Sequence, residues 1–210
     1  MATPLDGAER AALCDLFLEL GPDAPTLCEG WTTADLAAHL VVRERRPVAA
    51  AGILVRQLAT VTERAMADEK AKGYEAVVAR VRGGPPPGPF RLGPLRATNV
   101  NEYFIHHEDV RRADGRAPRT GTDELDDALW QNLRRSAWVA LRRLGAVGAV
   151  LVRSGTGERI VARKGEPAVT LTGRPGELAL YLAGRRSAAE VTVTGPEEAV
   201  RALDAVRLGI

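Results

Sequence analysis

The sequence predicts an α+β protein, with a four-helix bundle over residues 1–145 followed by a small α+β domain over 146–210. Three observations carry this. Apolar residues recur at helical spacing through the first two thirds of the chain. One long helical stretch, Asp123 to Leu144, is closed by Gly145. After that glycine the texture changes to short β-branched runs separated by glycine-containing turns.

In order along the chain, Gly7 to Leu20 places Ala11, Leu16, Phe17 and Leu20 near one stripe, and Gly21-Pro22 stops it. A loop ends in Gly30-Trp31. Thr32 then caps a helix to about Arg46, with Asp35 three residues later as an approximate capping box. Pro47 interrupts this helix and can occupy the first turn of the next, from about Val48 to Lys70. Tyr74 to Val81 predicts a short helix, and the run from Gly83 to Pro89 a loop. Thr98 or Asn99 opens a helix ending near Gly115, and Thr122 caps the long one, whose Leu125, Leu129, Leu133, Trp138 and Leu141 read as its apolar face. Four substantial helices make a bundle. Beyond it, Ala149–Arg153, Arg159–Arg163, Ala168–Thr172 and Glu190–Thr194 predict strands, and Gly176–Leu182 and Pro196–Val206 predict helices. No internal repeat stands out.

Composition narrows the function classes. The chain is 45% apolar and 27% charged, an ordinary soluble composition. A net charge of +2, with basic and acidic residues interleaved, gives no argument for a nucleic-acid partner. There is no apolar run of about 18 residues and no signal core, so the expectation is a cytoplasmic protein with no membrane partner. Cys14 and Cys28 lie outside any CxxC framework and read as free thiols, Cys14 as core.

The chemistry concentrates on the three histidines. Glu102 and His106 are four residues apart in a predicted helix and project from one face. His39, from a facing helix, can supply a third ligand to one metal ion. Two imidazoles and a carboxylate leave coordination positions open, the arrangement of a catalytic site. Zinc is the default ion, and Ni, Fe, Co or Mn suit the same donors. The same residues also fit a plain alternative, an i,i+4 surface pair and a hydrogen-bonded histidine. His107 lies about 100° round the helix from His106 and should not share the ion. Asp35 and Asp109 stand where they can orient ligand imidazoles, or serve as solvated helix charges. Arg43, Arg45 and Arg46 read as a solvated helix face, or as an anion-binding rim beside His39.

These residues carry a resemblance. The stretch Pro25 to Leu40, with Gly30-Trp31 opening a helix that holds His39, resembles the signature of the mycothiol-dependent maleylpyruvate isomerase N-terminal family. Glu102 to His106 followed by Asp109-Val110-Arg111 is similar to its second motif, and the DinB-like bundle superfamily contains this family. Val169–Gly173, Glu177–Arg185 and Val191–Gly195 resemble its smaller C-terminal domain. His107 departs from the pattern. The resemblance implies His39, Glu102 and His106 as metal ligands, mycothiol as thiol cosubstrate, and a metal-dependent isomerase or S-transferase acting on a small electrophile. Arg185 becomes a candidate catalytic residue gripping an anionic group, against a solvent-facing helix end. A metal-dependent hydrolase and a non-catalytic metal- or small-molecule-binding bundle are the other readings, as monomer or homodimer.

Overall fold

The computed structural model describes residues 4–46, 49, 59–87 and 94–209, leaving out the side chains of 94–98. Among these residues the chain is α+β, with eight α-helices and four strands. The helices are α1 (Leu5–Leu20), α2 (Thr33–Arg45), α3 (Ala59–Lys70), α4 (Tyr74–Arg82), α5 (Pro94–Ala113), α6 (Asp123–Ala140), α7 (Pro175–Leu182) and α8 (Glu197–Ala205). The strands are β1 (Gly148–Arg153), β2 (Arg159–Arg163), β3 (Ala168–Gly173) and β4 (Thr192–Thr194). The predicted helix beginning at Val48 lies outside the described residues until Ala59, apart from Ala49. The end of the predicted 83–89 loop lies outside them too. None of the described helices is long and apolar enough to cross a membrane.

The chain divides into two compact units, Met1–Pro118 and Arg119–Ile210. In the first, α1 packs on α5 and α4, and α2 on α3 and α4. Leu13, Phe17, Leu36, Leu40, Val81 and Tyr103 form its buried core. Each of these residues takes water off an apolar helix face, the dominant stabilising term in such a bundle. The α2 N-terminus is built as the sequence predicts. The backbone N–H and hydroxyl of Thr32 both donate to Asp35, at 3.0 and 2.9 Å. The loop before it is tied down as well. The Thr33 N–H donates to the Ala24 carbonyl, and the Thr26 hydroxyl to that of Trp31 at 2.9 Å.

The bundle core contains a polar knot. Arg10 on α1 makes a two-pronged pair with Glu44 on α2, at 2.6 and 2.8 Å. Tyr103 on α5 donates to the same carboxylate at 2.9 Å, and Arg10 also reaches the Val81 carbonyl. Every charge in the knot has a partner, as burial requires.

Asp126 ties the second unit together. The Arg174 guanidinium, at the start of α7, donates to the Asp126 carboxylate at 2.7 Å and to the Thr122 hydroxyl at 2.8 Å, while the Gly176 N–H donates to Asp126 at 3.2 Å. The sheet order is β2-β1-β3-β4, with β1 and β3 parallel and both outer strands antiparallel. Leu151 and Leu171 are fully buried, and β3 carries α7 and α8. By its contacts α6 belongs here, on α7 and β2, whereas the sequence division at 145 groups it with the bundle. The apolar face of α6 differs in one residue from its sequence reading. Trp138 is 58% exposed and Trp130 is 1% exposed. Five residues separate Leu133 from position 138, about 140° round the helix, while Trp130 adjoins the 125–129–133 stripe.

Candidate metal centre

His39 lies in the second turn of α2 and Glu102 and His106 in the middle of α5. Packing of the first unit brings all three together. His39 Nε2 is 3.4 Å, and His106 Nε2 3.3 Å, from the same oxygen, Glu102 Oε1. The three donor atoms lie within 4.8 Å of one another, and the residues form a group able to hold a metal ion. Both histidines are buried, and the Glu102 side chain keeps 26% of its surface exposed.

The ring orientations are fixed from behind. Asp109, fully buried one turn after His106, places Oδ2 2.9 Å from His106 Nδ1. It accepts that N–H and leaves Nε2 aimed at the centre, the arrangement of a carboxylate–histidine–metal triad. The Asp109 carboxylate also accepts from the Cys28 thiol at 3.2 Å, and its backbone carbonyl from the Leu27 N–H. The Trp31 ring stands 5.1 Å from that of His39, tilted by 54°. The 21–32 loop thus seals the back of the site.

His106 tests whether the donors fit a cation. Both of its nitrogens face carboxylate oxygens, and a neutral imidazole has one N–H to give. The ring therefore needs either a second proton or a cation at Nε2. Burial opposes the protonated form, yet hydrogen bonds with Asp109, Cys28 and Glu102 outweigh it and raise the His106 pKa well above its ordinary value. Burial also works to raise the Glu102 carboxyl. Hydrogen bonds from His106 and His39, with the charges of His106 and Arg43, hold it well below the usual carboxylate range. Burial pushes His39 below its ordinary value. A neutral His39, an ionised Glu102 and a His106 that wants a positive charge on Nε2 are the states a divalent cation would use.

Of the two readings the sequence left open for the neighbouring carboxylates, Asp109 takes the first: it is buried and bonded to the His106 imidazole, and is no solvated helix charge. Asp35 caps α2 and pairs with Lys70 at 2.5 Å, and does not reach His39 in these bonds. His107 is buried with Nδ1 3.2 Å from Glu9, off the centre as expected but not exposed. Cys28 forms a second potential ligand group with His106 and Asp109.

The basic run after His39 is not a solvated face. Arg43 Nε lies 3.1 Å from Glu102 Oε1, and Arg43 donates to Asn99 at 3.0 Å. Arg45 donates to the Gly84 carbonyl at 2.6 Å, and Arg46 pairs with Asp68 and Glu69. Gly84 has φ +71°, a conformation that favours glycine, and so presents its carbonyl to Arg45. Arg185, in the second unit, sits at the start of the short 3₁₀ turn Arg186–Ala188 and donates to the Ala183 carbonyl at 2.6 Å.

No protein-family model matches the chain. No curated protein matches it either. Among solved structures, the crystal structure of the mycothiol-dependent maleylpyruvate isomerase aligns with a TM-score of 0.56 over 90% of each chain, at 20% identity. The chain has the fold of that isomerase. A structure of the same enzyme with a histidine-to-alanine mutation aligns equally well. At this identity the likeness is one of architecture, and the isomerase fold accounts for the succession of a helical bundle and a small mixed sheet.

Proposed function

We propose that the chain is a metal-dependent enzyme that uses a small thiol, of the mycothiol type, to isomerise a small electrophile or to transfer the thiol sulfur onto it. One observation carries this reading. The Nε2 atoms of His39 and His106 converge on a single Glu102 oxygen, in the fold of a mycothiol-dependent isomerase. His39, Glu102 and His106 would hold the ion, with zinc as the default and Ni, Fe, Co or Mn suiting the same donors. The ion supplies a Lewis-acid position at which a thiol gives up its proton and gains nucleophilic character.

The chain's own residues do the remaining work. Asp109 keeps a proton on His106 Nδ1, so that Nε2 offers a lone pair. Trp31 and the 21–32 loop keep water from the buried side of both imidazoles. By resemblance we assign Arg185 a part in holding an anionic group of thiol or electrophile.

Elemental analysis of wild type and His39→Ala, purified without added metal, tests the ligand set. Wild type should carry a divalent ion that the variant loses, and unchanged metal in the variant would overturn it. Thiol consumption with mycothiol and an activated double bond then tests the chemistry. Loss of turnover in Arg185→Ala, with the metal retained, is the result expected for its anion role. A metal-loaded protein that hydrolyses esters or amides but consumes no thiol would instead be a hydrolase.

A further inference from the structure

Resting on that metal-centre reading, we propose that Arg43 makes the centre selective for an anionic exogenous ligand. Arg43 follows His39 by one turn of α2, so both side chains leave the helix on the same face. Its guanidinium is held at two points on α5. Nε sits 3.1 Å from Glu102 Oε1, the oxygen on which both imidazoles converge, and Nη1 donates at 3.0 Å to Asn99, which is buried. The side chain is itself mostly buried. An arginine so placed keeps its charge under all conditions and is weakly screened.

Charge counting gives this cation its effect. The imidazoles of His39 and His106 are neutral when they act as ligands. Glu102 contributes one negative charge, and Asp109, behind His106, contributes another. These two carboxylates cancel a divalent ion. Counted over these described residues, the assembly without Arg43 is neutral and has little electrostatic preference between a neutral donor and an anionic one. With Arg43 it carries one net positive charge, in a setting where a unit charge several ångströms away has a large effect. The preferred occupant of the open position is then a monoanionic donor, the class that includes a deprotonated thiol and a carboxylate.

Cobalt(II) substitution provides a readout independent of turnover, because the visible spectrum of the ion reports the binding of an added ligand. Thiocyanate serves as the monoanionic probe and imidazole as the neutral one, each titrated into wild type, Arg43→Met and Arg43→Lys. Arg43→Met should weaken thiocyanate by about tenfold or more and leave imidazole within about twofold. Arg43→Lys, which keeps the charge, should recover most of the thiocyanate affinity. Should Arg43→Met fail to fold, Arg43→Gln removes the charge while keeping a hydrogen-bonding group, and the same comparison applies.

Equal thiocyanate affinity in the charge-removed variant, or parallel loss for both probes, overturns the role of Arg43 and leaves the metal centre standing. If wild type takes up no cobalt, or His39→Ala takes it up unchanged, the centre itself fails and this inference with it.

Discussion

Asp109 Oδ2 lies 2.9 Å from His106 Nδ1, one turn further along the same helix and with no exposed surface. The carboxylate therefore sets which nitrogen of the ring faces the centre. Removing it frees the ring to turn and lowers the basicity of Nε2. Asp109→Ala should weaken divalent-metal affinity by about 10- to 100-fold, measured by competition against a chromophoric chelator. Asp109→Asn, which still offers an oxygen to Nδ1–H, should lose less. Equal affinity in wild type and Asp109→Ala would remove this carboxylate from the metal's support.

The protonation states give a pH dependence with a definite sign. In the metal-free protein the His106 pKa is raised above its ordinary value of about 6.5, so its contribution to stability is complete below that pH. The contribution is lost as pH climbs through the raised folded value. Glu102 is lowered from about 4.5, so its contribution is present above that pH and is lost as pH falls through the depressed value. Together they favour the metal-free fold most between about 4.5 and 6.5. Metal binding displaces the second proton of His106, so affinity should rise with pH through the neutral range. Imidazole NMR signals of metal-free protein at neutral pH should show His106 protonated and His39 neutral. A His106 that titrates at or below its ordinary value contradicts the arrangement.

The Arg10–Glu44–Tyr103 knot predicts an asymmetric response to mutation. Arg10→Met leaves the Glu44 carboxylate buried beside Tyr103 with no countercharge, and should cost about 3–5 kcal/mol in denaturant unfolding. Replacing both partners, with Arg10→Met and Glu44→Leu together, should cost much less than the single change. If the double variant is as unstable as Arg10→Met, the penalty does not come from an unpaired charge.

The two thiols should separate chemically. Cys14 is fully buried, donates to the Val78 carbonyl, and has a pKa pushed up to about 11 by burial. Cys28 is only partly buried. Iodoacetamide at neutral pH should label Cys28 in the native protein, and Cys14 only after unfolding. Mass spectrometry of timed digests reads this directly, and native labelling of Cys14 would show that α1 and α4 part readily.

Much of this was legible in the sequence wherever the governing distance was short. The Thr32–Asp35 cap, the helical spacing of Glu102 and His106 and the change of texture after Gly145 are local patterns, and a helix or strand follows from them. The fates of Arg43, Arg45 and Arg46 were not legible, because their partners stand between 22 and 59 positions away. A basic run at the end of a helix looks the same whether it faces water or four other segments. The burial of Asp109 depends likewise on a loop 81 positions earlier. Trp138 was counted into the apolar stripe because a pattern read in threes and fours tolerates a five-residue step on paper that a real helix does not.

The last turn of α2 and its C-cap fan out to α5, to the Arg10 side chain, to the Gly84 carbonyl and to α3 through four consecutive residues, Arg43 to Arg46. A slide of α2 along its axis by even one residue would break all four anchors at once, so the height of His39 opposite Glu102 is effectively quantised. Transplanting the three ligands into another bundle would therefore move the chemistry without its ruler. A working graft has to carry this tetrapeptide and the four surfaces it grips.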